Sequence, residues 1–183
     1  MTFNGKEYKV IKTLYRTKGS HNQRLAEHIS EETKERRRRF YLVERNGRKY
    51  FVKEYHDREY GGNLGYPKNI EYEYETTKRL YGDITRRHGT IGVPKVIARE
   101  DERILFEYLD GYRKPHVNEL QAIHRLVLEW LRSKDIDNYD LCANNILVKV
   151  LPKRKNGVTQ YEVRMIDFEY SEDRKVRREY GIE

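Results

Sequence analysis

The chain has a single cysteine, Cys142, in 183 residues, which excludes an internal disulfide framework and a zinc site built from several thiolates. No stretch approaches the roughly 18 consecutive apolar residues that span a bilayer. Residues 1–6 lack the apolar run of a secretory signal. These absences predict a protein of the reducing cytoplasm. Aliphatic content is low as well. The hydrophobic share of 37% includes 16 Tyr, so strictly apolar residues reach about 28%, or about 35% with glycine, against roughly 45–50% in ordinary globular domains. Aromatic residues at 12% argue against a disordered chain. The expectation is a folded protein with a modest core and a charged surface, one domain or one lopsided two-lobed unit.

What the chain has in quantity is charge of both signs. Lysine and arginine number 38 against 30 acids, a formal net charge of +8. That balance suits anionic partners: a nucleotide, a nucleic acid or an acidic membrane surface. The densest cluster, Arg36, Arg37, Arg38 and Arg39, has the chemistry to contact phosphates. The favoured reading is a solvated strand entry.

Local patterns predict an α+β layout. Residues 7–14 partly alternate and read as an opening strand, after which the pattern is lost from 15 to 35. Two β-rich runs, 40–45 and 48–55, meet at Asn46-Gly47. Tolerance of positive φ makes that dipeptide the signature of a tight hairpin. Glycines 61, 62 and 65 with Pro67 mark a loop. A helix follows over 69–81, with Asn69 as N-cap, acids in its first turns and Gly82 as its stop. Residues 93–97 and 103–108 read as two strands around a turn at Asp101-Glu102, and Asp110-Gly111 breaks the pattern. Over 118–133, Leu120, Ile123, His124, Val127, Leu128 and Leu131 recur at spacings of three and four, the apolar face of a helix. Residues 146–150 and 161–166 then form a last pair of strands. The charged stretch 171–183 reads as a short helix.

Chemistry concentrates in Asp140-Leu141-Cys142-Ala143-Asn144-Asn145-Ile146-Leu147 and in Met165-Ile166-Asp167-Phe168. A carboxylate, four residues and an asparagine stand at a strand entrance, and the hairpin returns Asp167 to the same end of the sheet. Two carboxylates and an amide offer hard oxygens of the kind Mg²⁺ takes alongside nucleotide phosphates. A carboxylate off the metal can accept a proton from an attacking hydroxyl.

These residues resemble the protein-kinase-like superfamily. Asp140 through Asn145-Ile146-Leu147 is similar to its catalytic loop, and Ile166-Asp167-Phe168 to its metal-binding segment. Upstream, Phe51-Val52-Lys53 matches the third-strand lysine. Glu73 fits the helix glutamate that pairs with it, with Leu80 seven residues on; Glu71 and Glu75 compete for that role. Residues 105–111 resemble the hinge, whose backbone at Glu107 and Leu109 would bind the adenine edge. The ordered set covers roughly residues 6–170. It implies a two-lobed kinase-like fold with a strongly reduced C-terminal lobe: a single domain, about 1–109 for the N-lobe and hinge and about 110–183 for the minimal C-lobe. It also implies ATP and Mg²⁺. Lys53 would position the α- and β-phosphates, Glu73 would hold Lys53, Asn145 and Asp167 would bind the metal, and Asp140 would orient or deprotonate a hydroxyl acceptor.

Several positions depart from the pattern. The glycine-rich phosphate loop is degenerate, with Gly19-Ser20-His21 its nearest candidate. Asn138-Tyr139 stand where His-Arg is usual, Cys142 where a lysine is common, and Glu169 where glycine follows the metal aspartate. Only 16 residues follow Asp167, which leaves no room for helices that dock protein substrates. Such shortening resembles small bacterial kinase-like families: the PhoP-network YrbL group, lipopolysaccharide-core sugar kinases and truncated effector kinases. The expected acceptor is therefore a small molecule or glycan ahead of a protein. The alternative is a pseudokinase or truncated module that binds a partner protein, and a nucleic-acid binder ranks last. The six histidines show no metal spacing, and His124 reads as a packed core residue.

Overall fold

In a computed structural model the described residues are 1–16, 25–26, 39–55, 69–81, 89–138, 141, 143–152, 160–166, 168 and 171–173. They are mostly β-sheet, with two α-helices, a mixed α+β architecture. Contacts divide the chain into two compact units, Met1–Tyr66 with Lys95–Tyr108, and Pro67–Pro94 with Leu109–Glu183.

The first unit begins with a small antiparallel hairpin, β1 (Thr2–Phe3) and β2 (Lys6–Glu7). It turns at Asn4 and Gly5, with φ of 50° and 71°. Six further strands make its sheet: β3 (Lys9–Arg16), β4 (Leu25–Ala26), β5 (Arg39–Arg45), β6 (Arg48–Glu54), β8 (Val96–Glu100) and β9 (Arg103–Glu107). Their order is β4-β3-β5-β6-β9-β8, with every pair antiparallel. The expected hairpin at Asn46-Gly47 is present, with φ of 52° and 72°, both positive as a type I′ turn requires. The strands predicted at 93–97 and 103–108 fall at Val96–Glu100 and Arg103–Glu107, around Asp101 at φ 50°. Val93 and Pro94 precede the first of them, since proline has no N–H for the ladder.

Phe3, Tyr8, Val43, Val52, Ala98 and Leu105 form the core of this unit. Phe3 and Tyr8 meet edge to face at 5.9 Å, and Tyr8 and Tyr50 at 5.4 Å. Aromatic contact of this kind adds to area burial. The tyrosine-rich composition thus supplies core volume where aliphatic residues are few.

The second unit holds α1 (Asn69–Tyr81), β7 (Gly89–Gly92), α2 (Val117–Ser133), β10 (Ile136–Asn138), β11 (Ile146–Val150), β12 (Tyr161–Met165) and β13 (Ser171–Asp173). Strands β11 and β12 are the expected antiparallel pair; β7 adds to β12 in parallel, and β10 pairs antiparallel with β13. The reading of 171–183 as a helix is corrected at Ser171–Asp173, where pairing with β10 draws the backbone into a strand; residues 174–183 lie outside the described ones. Helix α2 buries Ile123, Val127, Trp130 and Leu131, at helical spacing, in one cluster with Ile146, Val148 and Val163 from the sheet. The predicted stripe omitted Trp130, and its Leu120 and Leu128 are only half-buried. Among the described residues no helix is long and apolar enough to cross a membrane.

Candidate functional site

Strand β6 carries Lys53 as its sixth residue, opposite Ile104 of β9. Its side chain is 4% exposed, so it is not a solvent-facing strand lysine. The ammonium lies 5.1 Å from the centroid of the Tyr55 ring, a cation–π contact that offsets part of the desolvation cost. Glu107 closes β9 opposite Tyr50 on the same sheet. Its backbone N–H donates to the Lys95 carbonyl at 2.9 Å, and its Oε1 accepts the Lys95 N–H at 2.7 Å. Both bonds pin the end of the strand.

The other candidates belong to the second unit. On α1 the buried positions are Ile70, Glu73, Thr76, Thr77 and Leu80, a stripe at spacings of three and four. Of the three competing glutamates only Glu73 lies in that stripe, at 2% exposure; Glu71 and Glu75 are half-buried, and Glu75 sits 3.9 Å from the Lys78 ammonium. A carboxylate is taken out of water only against a strong compensating interaction, so Glu73 alone of the three is held within the buried face of this helix. Leu109 begins the segment leading to α2, and its carbonyl accepts the Tyr112 N–H at 3.4 Å across a turn at Gly111, where φ is 75°.

A 3-10 turn, Ala143–Asn145, leads into β11 and buries Asn145. The Asn145 carbonyl accepts the N–H of Ile166 at 2.9 Å, extending the β11–β12 ladder by one step beyond Ile146 and Met165. The amide-bearing residue is thus fastened to the residue that precedes Asp167 in sequence. Asp140 and Asp167 themselves lie outside the described residues, as do Cys142, Glu169 and the phosphate-loop candidate 19–21. Of the arginine cluster only Arg39 is described; it opens β5 half-buried.

Two features of this region escaped the sequence reading. His124 is half-buried on α2, with Nε2 3.3 Å from the Leu141 carbonyl oxygen, so it tethers the residue after Asp140 rather than merely filling the core. Glu119 gathers four hydrogen bonds. Arg113 donates two through its guanidinium, both at 2.8 Å, the His116 N–H donates one at 2.8 Å, and the Tyr161 hydroxyl donates one at 3.1 Å. The Arg113 bonds, followed by those from His116 and Tyr161, outweigh burial and pull the carboxyl down to about 2. Burial, then the same contact, pushes the Tyr161 phenol up. An acid in the first turn of a helix also meets its positive dipole end. An Arg–Glu spacing of six carries no local signal, because the two face each other only once the loop before α2 has turned.

Among the described residues no group of three or more His, Cys, Asp or Glu side chains is placed to hold a metal ion. No family model and no curated protein matches the chain.

Proposed function

We propose that the protein is an ATP- and Mg²⁺-dependent phosphotransferase with a two-lobed protein-kinase-like fold and a reduced second lobe, acting on a hydroxyl acceptor that is a small molecule or glycan. The observation that carries this reading is the backbone bond from Ile166 to Asn145. It joins the asparagine of the catalytic-loop resemblance to the strand end that leads to the metal-segment aspartate. The burial of Lys53 and Glu73, each on the type of element the resemblance requires, supports it. The Asn145 amide and the Asp167 carboxylate are hard oxygen donors of the kind Mg²⁺ accepts, so the donor set fits the ion. When bound, the metal neutralises charge on the phosphate oxygens.

The chain's own residues do the rest. Lys53 and Glu73 keep the roles the resemblance gives them, with the Lys53 ammonium meeting the α- and β-phosphates. Asp140 takes the proton of the acceptor hydroxyl as the acceptor oxygen bonds to the γ-phosphorus. The bond from that phosphorus to the bridging oxygen breaks, and ADP leaves. Such transfer depends on placement and charge neutralisation, so few side chains suffice.

The test is a thermal melt of the full chain with ATP, with and without Mg²⁺. At about a hundred times Kd a ligand stabilises by roughly 2.7 kcal/mol, a rise of roughly 5–10 °C for a chain of this size. The rise is expected only with Mg²⁺ and is abolished by Asp167→Asn. Asp140→Asn keeps the rise and lowers turnover by orders of magnitude. A wild-type melt unmoved by ATP and Mg²⁺ overturns the reading in favour of a partner-binding pseudokinase, whose degenerate phosphate loop and Glu169 would then be its marks.

A further inference from the structure

Between Asp140 and β11, residues 141, 144 and 145 are each fastened by a different element of the second unit. The Asn145 carbonyl accepts the Ile166 N–H at 2.9 Å, and Asn145 itself is buried. Lys114, from the segment before α2, donates through Nζ to Asn144 Oδ1 at 2.6 Å. His124, on α2, has Nε2 3.3 Å from the Leu141 carbonyl oxygen. The Leu141 side chain packs against the buried cluster that α2 shares with β11 and β12. Leu141 is therefore held at two points, its side chain and its carbonyl.

These fastenings act at different places. The bonds to Asn144 and Asn145 hold the end that carries the amide assigned to the metal. Among the described residues, His124 makes the one side-chain hydrogen bond to Leu141, the neighbour of Asp140 in sequence. A trans peptide sets consecutive Cα atoms about 3.8 Å apart, so fixing one residue restricts the next. The support is firm, because Ile123 and Val127 beside His124 are buried in the core, and a group held by a helix is placed more precisely than one held by a loop. A carbonyl oxygen only accepts, so Nε2 carries the hydrogen of this bond.

We infer that His124 is a positioning residue of the phosphoryl transfer: through Leu141 it sets where the Asp140 carboxylate meets the acceptor hydroxyl. That role rests on the phosphotransferase reading, whereas the bond stands without it. The full chain is assayed for hydrolysis of ATP with Mg²⁺, water serving as the acceptor. A catalytic group displaced by about 1 Å loses about a hundredfold in rate. His124→Leu keeps a helix-forming apolar side chain at a half-buried position. It is expected to lower kcat by about tenfold to a hundredfold. The KM for ATP and the ATP-dependent rise in melting temperature stay as in the wild type, because Asn145 keeps its own bond to Ile166. His124→Gln, whose amide reaches as far as Nε2, restores most of kcat; His124→Asn, equally polar but shorter, behaves as the leucine variant. Dependence on reach is not what a loss of packing produces.

A leucine variant with wild-type kcat overturns the inference, and so does a glutamine variant no better than asparagine. Loss of kcat together with a raised KM and a lost melting response also overturns it, since that is a general loss of structure. The wild type separates the two readings. Without a melting response to ATP and Mg²⁺, the phosphotransferase reading fails and the role of His124 with it. With that response and with hydrolysis abolished by Asp140→Asn, any failure belongs to His124 alone. A wild type that responds to ATP but shows no Asp140-dependent hydrolysis overturns the inference as well, because the bond then serves no proton transfer.

Discussion

Replacing Glu119 with glutamine tests a carboxylate that gathers four hydrogen bonds in the second unit. The carboxyl is held at about 2 instead of 4.5, first by the Arg113 guanidinium against the opposing effect of burial, then by the His116 N–H and the Tyr161 hydroxyl. By linkage, a carboxyl displaced that far contributes about 3 kcal/mol when fully ionised. The Glu119 side chain is 12% exposed but that of Arg113 is 35% exposed, so water screens the pair and about 1–2 kcal/mol is the reasoned contribution. The sign follows from the lowered value. The stabilisation is present in full above the unfolded carboxyl's range near 4.5 and is lost as pH falls through that range towards about 2. Trp130 is the chain's one tryptophan and is buried in the second unit's core, so its fluorescence in urea unfolding reports on that unit. Glu119→Gln is expected to lower the unfolding free energy by about 1–2 kcal/mol at neutral pH, with the gap narrowing as pH drops below about 4.5. A double cycle with Arg113→Met should give a coupling of about 1 kcal/mol or more. Additive single effects, or a gap that stays constant from about pH 6 to about pH 3, would refute the reasoning.

Other outcomes can be checked with the same melts. Gly47→Ala meets no atom within 4 Å of the added Cβ but forces an L-residue to φ 72°, so it should cost about 1 kcal/mol from backbone strain alone; an unchanged melting temperature would argue against a type I′ turn. Thr76 Oγ1 is buried without a hydrogen-bond partner, so Thr76→Val should leave stability equal or raise it by about 1 kcal/mol. A loss of similar size would mean that the hydroxyl is satisfied after all.

The tyrosines bear on how so polar a chain folds. Tyr8 and Tyr41 place their rings in or against the first unit's core while their hydroxyls remain polar. The Tyr41 hydroxyl donates to Glu54 at 2.5 Å, and burial with that bond pushes its phenol up to about 12. The Tyr41 ring adds apolar area while its hydroxyl keeps a partner.

The amino-acid pattern by itself determined the elements whose cause is local. Asn46-Gly47 between two β-rich runs sets the β5–β6 hairpin through its tolerance of positive φ, and the three–four spacing of apolar residues sets α2. The helix read over 69–81, from Asn69 at its start, acids in its first turns and Gly82 as its stop, spans Asn69–Tyr81, with Asn69 inside the helix rather than capping it. Tertiary structure alone decided what depends on distant partners. Gly89–Gly92, four residues with two glycines, is a strand only because β12 lies alongside it, and Ser171–Asp173 only because Ile136–Asn138 does. The β1–β2 hairpin also turns on Asn-Gly, but strands of two residues carry no readable alternation. At the candidate site, sequence order named Lys53, Glu107, Leu109 and Asn145 and left three glutamates in competition on α1. Burial of one face separated Glu73 from its neighbours, because a helix meets its surroundings every three or four residues and those surroundings come from elsewhere in the chain. The same reason explains why Glu119, His124 and Lys114 were silent in the sequence. Their partners at 113, 141 and 144 become neighbours only when the loop before α2 and the turn before β11 have folded against each other.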